Sequence, residues 1–436
     1  MTTEAPGRIE RAAVAEPEFT RGYTRYALAL LLLVYIFNFI DRQVLAILLE
    51  DIKLDLGASD TEMGFLSGLA FALFYTIAGI PIARWADRGS RRTIIAVGLT
   101  LWSAMTVACG FTRSFVQLAL ARVGVGIGEA AGTPPSHSLI SDYFPPERRA
   151  TAMSIYATGI YFGAMIAYLA GGYLKELFDW RTAFLIVGVP GIPLALLVRL
   201  TLREPTRGYW ERDRTHSEAT PFGDVVRLLF GQRTFVWLLI AASCQSLSGY
   251  GFLAWSPTFL IRVHQMGGIE IGIWLGFTIG IAGALGAYLG GLIGDRFGER
   301  DERAYLYLAA IVSLASLPFA AVFLFESDRV WALSAFVPFY LLGAMYVGPL
   351  WSLVQGLVHV RMRATASAIL LFILNLVGLG AGPLVVGFLN DQLAPRFGDE
   401  AIRYSLMVVA AIGGAATLFF WIASRSLRDD LRALRD

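Results

Sequence analysis

Apolar runs of about 20 residues recur twelve times along this chain, near 25–48, 61–85, 93–110, 115–140, 149–172, 181–201, 234–261, 270–294, 304–324, 330–355, 364–389 and 402–423. Each is long enough to cross a hydrocarbon core of roughly 30 Å as a helix. In lipid every backbone N–H and C=O needs a partner within the protein, and a helix supplies it inside each run. Hydrophobic residues make up 56% of the 436 and charged residues only 16%, too little polar surface to wrap a soluble domain of this size. The reading is an all-α membrane protein with twelve transmembrane helices. Glycine and proline inside several runs are compatible with it, because membrane helices tolerate both.

The basic residues orient the chain. With both termini cytoplasmic, 26 Lys and Arg fall on the inner side, eight fall outside, and Arg42 and Arg122 lie within runs. That bias is the mark of cytoplasmic loops. The first 24 residues are polar and carry no short apolar core or cleavage site, so no signal peptide is expected. The expected divisions are a cytoplasmic tail (1–24), a six-helix bundle (25–202), a cytoplasmic linker (203–233), a second six-helix bundle (234–424) and a cytoplasmic tail (425–436). Within the linker, Pro221 to Phe235 reads as a short amphipathic segment on the inner membrane face. The net charge of +2 carries no nucleic-acid signal, since the arginines serve topology. Cys109 and Cys244 both fall within runs and suggest neither a disulfide nor a metal site.

The two halves echo each other. WADRGSRR runs from Trp85 to Arg92, and IGDRFGER from Ile293 to Arg300. Arg149-Ala150-Thr151-Ala152 is matched by Arg363-Ala364-Thr365-Ala366. Membrane proteins built from two related halves commonly move one half against the other around a central site. The expected fold is two pseudo-symmetric six-helix bundles, and the expected class is a transporter. No metal-ligand cluster, nucleophile elbow or phosphate-binding Gly-Lys-Ser/Thr loop occurs, so no enzyme, cofactor or ATP drive is expected.

These loop motifs resemble the signature of the major facilitator superfamily, Gly-x-x-x-Asp-Arg-x-Gly-Arg-Arg. The second copy fits through Gly291, Asp295, Arg296, Gly298 and Arg300. The first keeps Asp87, Arg88, Arg91 and Arg92 but has Ala83 and Ser90 where the signature has glycine. Arg122 followed by Gly126, and Trp180 to Phe184, resemble further motifs of the superfamily, whereas Gly163 followed by Ala164 only partly matches its glycine-proline exchanger motif. NFIDRQVLAILL (38–49) and the block 121–156 are similar to the spinster family of lysolipid and sphingolipid-phosphate transporters and its bacterial relatives. The resemblance implies the major facilitator fold, and the alanine, arginine and glycine richness suggests a multi-pass protein of a bacterial inner membrane. It also implies a conformational latch built from Asp87, Arg88, Arg91, Asp295 and Arg296.

Four ionisable residues lie deep in the first half: Asp41 and Arg42 in the first run, Arg122 and Glu129 in the fourth. A charge at the bilayer centre costs at least about 2.5–3.5 kcal/mol, so these must face a wet cavity or each other. Arg122 and Glu129 are two helical turns, roughly 10.5 Å, apart on one face. Asp41 and Arg42 diverge by about 100° and cannot share a partner. The economical pairing is Glu129 with Arg42 and Asp41 with Arg122, and the opposite one stays open. Asp41 and Glu129 are the candidate proton-coupling groups; Arg42 and Arg122 are candidate cavity charges. Glycines at 124, 126, 128 and 132 permit bending near Glu129, and Pro134 and Pro135 are expected to break the helix beyond it.

The second half offers Gln245, Tyr340 and Asn375 as candidate substrate contacts, with Ser246, Tyr250 and Tyr346 near them, and no deep charge. A cavity charged on one wall and apolar on the other suits an amphiphile with an ionic head. The function expected is secondary transport of a lysolipid- or sphingolipid-like amphiphile by a monomer, coupled to protons. The alternative is a proton-coupled exporter of drugs or small organic anions.

Overall fold

The computed structural model describes residues 18–211 and 221–435; the tail ahead of Glu18 and the linker stretch 212–220 lie outside the described residues. The spans are α1 (Arg21–Leu56), α2 (Asp60–Arg88), α3 (Arg91–Gly110), α4 (Phe115–Tyr143), α5 (Pro146–Leu177) and α6 (Trp180–Thr201). The second half follows with α7 (Arg233–His264), α8 (Gly268–Gly298), α9 (Ala304–Phe325) and α10 (Arg329–Gly356). Residues 363–397 form α11, and Ala401–Arg435 forms α12. An amphipathic helix, Phe222–Gly231, precedes α7; it buries Val225 and Leu229 and exposes Arg227. Short connections make consecutive spans antiparallel. The start of α1, the end of α12 and the described parts of the linker therefore share one face, the termini face, and the loops after odd-numbered spans share the distal face.

Local chemistry sets the span ends. Ser59 and Glu62 form a reciprocal capping box at the start of α2, and Ser90, Ser114, Asp179 and Asp328 cap other starts with side-chain oxygens. Gly57 closes α1 in the left-handed region at φ 63°, where glycine carries no Cβ penalty.

Two seams join the bundles, and both are lined with glycine. A Cβ added at Gly172 or Gly272, where α5 meets α8, would sit 2.4 Å from a carbonyl oxygen of the other span. Where α2 meets α11, Gly64 and Gly68 lie as close to the Pro383 and Gly380 carbonyls (2.5 Å each), and Gly387 to that of Asp60 (2.1 Å). The helices are also irregular there: α2 breaks at Gly68, and 278–282 and 375–381 take π-helical turns. Small residues let membrane helices approach to backbone contact.

On the distal face the bundles are tied by charge. The Arg262 guanidinium of α7 reaches Glu50 of α1 (2.6 Å) and Asp60 of α2 (2.6 Å), and Lys53 joins Asp60 at 2.6 Å. Asp391 of α11 accepts the backbone N–H groups of Asp60 (3.1 Å) and Thr61 (2.7 Å). Those amides head a helix and carry its positive dipole end, so the carboxylate suits them.

The termini face has no matching tie through the loop motifs. Arg91 is buried against Asp142, Glu204 (2.7 Å) and the Pro205 carbonyl (3.0 Å), all within the first half and the start of the linker. Asp295 accepts from Tyr305 in its own half (2.9 Å). Among the described residues the Asp87 carboxylate, Arg88 and Arg296 form no ion pair. Neither motif bridges the halves in this state, which is closed distally.

Candidate functional site

The site begins where α4 breaks. Its first helix ends at Glu129, a turn covers 130–132, and a second helix starts at Thr133 with the two prolines in its first turn. The break comes earlier than the prolines suggested. Pro134 and Pro135 lack the amides that the carbonyls of Ala130 and Ala131 would need, so the helix tightens before them: Gly132 N–H turns to the Glu129 carbonyl (3.0 Å). Glu129 therefore sits at a helix end inside the membrane, with 0% of its surface exposed.

Arg42 meets it from α1. Arg42 Nη2 lies 2.7 Å and Nε 3.2 Å from Glu129 Oε2, and Nη2 also donates to Asn38 one turn earlier (3.3 Å). The guanidinium is caged by the rings of Phe39, Phe71 and Tyr75 at 4.9–5.0 Å. Weak hydration and ring stacking suit arginine to this setting.

Of the two pairings left open by the sequence, Arg42 with Glu129 is the one formed. The second expected pair differs. Arg122 Nη1 donates to the backbone carbonyl of Asp41 (3.3 Å), and the Asp41 carboxyl makes no ion pair among the described residues. The cause is angular: once Arg42 faces α4, its neighbour Asp41 must turn towards α3. Arg122 also lies over Phe71 at 5.4 Å, so one ring lies beside both arginines.

Beside this charged wall lies a pocket of about 290 Å³ between the bundles. Gln245, Tyr250, Tyr340 and Tyr346 line it. Gln245 is held by Ser313 of α9. Asn375 does not line it; it opens the π-helical stretch of α11 instead. Gln43 and Tyr161 line the pocket from the first half and were not singled out from the sequence. The signal for Gln43 was its place directly after Asp41-Arg42. Phe39 lines the pocket and stacks on Arg42 at 4.9 Å, which joins pocket and charged wall.

The family model of the Major Facilitator Superfamily matches residues 31–383. The chain belongs to this superfamily. An "MFS-type efflux pump" of Mycolicibacterium smegmatis is 34% identical, with 93% of this chain and 94% of that protein covered. "Protein spinster homolog 3" of Danio rerio is 26% identical, with 93% and 86% covered. A crystal structure of a bacterial homolog of the human lysosomal transporter Spinster, inward-facing and unoccupied, superposes with a TM-score of 0.88 at 32% identity, covering 94% of this chain and 99% of that one. This major facilitator protein is a multi-pass membrane transporter, not an enzyme, and its fold is the two-bundle, twelve-helix one.

The linker docks onto the first bundle through several contacts, and the Glu204 carboxylate is one of them. Glu204 is partly buried, which opposes its charge, but the Arg91 guanidinium and the Arg91 and Arg92 amides hold it below its ordinary value of 4.5. A depressed carboxylate contributes stability that is complete above its unfolded value and is lost as pH falls through the lower folded one. Glu204→Gln is therefore expected to loosen the linker at neutral pH. Limited proteolysis at Arg207, which donates to the Ala86 and Asp87 carbonyls, should speed up several-fold. The gap from wild type should narrow at pH below the ordinary carboxylate range. Equal cleavage rates at neutral pH would show that Glu204 does not hold the linker.

Proposed function

We propose that this transporter moves an amphiphile with an anionic head and an apolar tail, of the lysolipid or sphingolipid-phosphate type, by alternating access coupled to protons. The observation that carries the reading is the buried Arg42–Glu129 pair beside an aromatic pocket, with Phe39 stacked on Arg42 and lining the pocket. An anionic head competes with Glu129 for Arg42. Glu129, once displaced from its cation in a low-dielectric site, takes up a proton, and Asp41 is the second proton carrier. The tail lies among Phe39, Tyr250, Tyr340 and neighbouring apolar groups. In this reading both termini are cytoplasmic, residues 25–202 and 234–424 are the rocking bundles, 203–233 is their linker, and the protein works as a monomer in a bacterial inner membrane. The state described above is then open to the cytoplasm. The resemblance of residues 38–49 and 121–156 to the spinster family of lysolipid and sphingolipid-phosphate transporters supports the substrate class.

The test is movement of fluorescent lysophosphatidylcholine and sphingosine phosphate in proteoliposomes, with and without a pH gradient. A rate several-fold above protein-free vesicles, falling when the gradient is collapsed, is expected. No protein-dependent movement of either lipid sinks the lipid assignment. The efflux-pump name of the mycobacterial relative favours a second reading, export of drugs or small organic anions. An ethidium arm in the same vesicles separates the two.

A further inference from the structure

The wall that the second bundle gives to the pocket is layered. Along α7, Gln245, Gly249 and Phe252 follow one another at single-turn spacing on one face, and all three line the pocket. Along α10, Phe339, Gly343 and Tyr346 do the same. The Phe252 and Phe339 rings lie 4.5 Å apart, and the two spans run in opposite directions. Counting from that ring pair gives three levels. Phe252 and Phe339 form the distal one, Gly249 and Gly343 the middle one, and Gln245 and Tyr346 the one nearest the termini face. Seven residues separate first from last in each span, roughly 10.5 Å along the axis. The distal level is a wall. Phe323 stands 6.3 Å behind Phe252 and Phe336 5.9 Å behind Phe339, and these two rings are themselves 4.6 Å apart. All four are buried.

The middle level presents no side chain. A Cβ added at Gly249 or Gly343 would meet nothing of the surrounding protein within 4 Å. Gly413 borders the same pocket differently: a Cβ there would stand 2.8 Å from Ser248, so its smallness serves packing. Glycine inside a helix is destabilising relative to alanine, and at 249 and 343 no close approach of another helix calls for it. What the two glycines give is room in front of the aromatic wall. We propose that Phe252 and Phe339 set the longest apolar tail the pocket accepts, and that Gly249 and Gly343 keep the space before them open to it. This rests on the reading of the site as one for an amphiphile. A tail too short to reach the rings leaves the glycine level unfilled. A tail too long must displace close-packed rings or leave methylenes outside, and packed interiors resist such insertion. Each further buried methylene tightens binding about fourfold, so affinity rises with length and then levels off at the wall.

The test is binding of lysophosphatidylcholines with saturated tails of graded length to the full-length protein in detergent, read by native mass spectrometry. Wild type is expected to bind more tightly with each added methylene up to one length and no further. Gly249→Val and Gly343→Val place branched side chains in the middle level. They should lower that limit, weakening the longest tails about tenfold and the shortest hardly at all. Phe252→Ala and Phe339→Ala each take a ring out of the wall. They should raise the limit by about two methylenes, a gain of about tenfold for tails beyond the wild-type limit. Opposite shifts from the two sets are a result that general loosening of the fold does not produce. If all four variants keep the wild-type limit, or weaken every tail by one factor, the length-setting role is wrong and the amphiphile reading stands. If wild type binds no lysolipid of any length saturably, the amphiphile reading fails and takes this role with it. Should Phe252→Ala not yield monodisperse protein, Phe252→Leu and the two glycine variants decide by the same comparison.

Discussion

Replacing Arg42 with alanine is expected to cut lipid transport in proteoliposomes at least tenfold while the chain still inserts and folds. The substitution strands Glu129, which has no exposed surface, without its cation. Removing one member of a buried pair costs about 3–5 kcal/mol, so Glu129 would become neutral rather than stay charged. In the function proposed above, the site then loses the cation that would attract an anionic head and the charge that a proton would neutralise. Folding should survive, because the rings of Phe39, Phe71 and Tyr75 and the Asn38 turn still pack the two helices. Glu129→Gln is the informative partner. It keeps the shape and Arg42, so lipid binding should persist while dependence on the pH gradient is lost. Near-normal transport by Arg42→Ala would leave the pair only a structural role.

Arg262→Ala is expected to open the distal face. Arg262 holds Glu50 and Asp60 from the opposite bundle at 2.6 Å each. Glu50 is 13% exposed, so the fully buried cost must be scaled down, to about 2 kcal/mol. That free energy shifts a two-state equilibrium roughly 30-fold towards the distally open state. The change should appear as a longer distance between spin labels at Leu54 and Val330, which are exposed at the distal ends of the two bundles. Asp391→Asn should move it less, since an asparagine still offers an acceptor to the Asp60 and Thr61 amides. An unchanged distance distribution in Arg262→Ala would mean that the glycine seams alone hold the face shut.

The span pattern and the Arg42–Glu129 pair were legible in the chain for the same physical reason. Lipid forbids unpaired backbone and makes an isolated charge expensive, so twelve apolar runs and four deep charges each had few outcomes open to them. The Asp41 surroundings were not legible. Which way a carboxyl turns depends on the rotation of α1 against its neighbours, and spacing along the sequence does not give that rotation. Arg262 was hidden differently. It counted as one of eight basic residues on the outer side, while its partners Glu50 and Asp60 lie more than 200 positions earlier in the chain. Asn375 stands at the first residue of a π-helical stretch, and no helical periodicity anticipates how such a stretch turns the side chains that follow.

The glycine seams divide the labour of transport. Side chains that interdigitate must leave one set of rotamer wells and find another when helices slide. Backbone laid against backbone has no such teeth. At Gly172 with Gly268, and at Gly64 with Pro383, the bundles touch through surfaces nearly free of side-chain relief. Sliding there resembles a plain bearing, with friction but no ratchet. The depth of each resting state is then set at the rim, by ions such as Arg262, and the speed of passage by how smooth the bearing is. In the alternating access proposed above, thermodynamic control and kinetic control would then sit in different parts of the molecule, so evolution could tune one without disturbing the other.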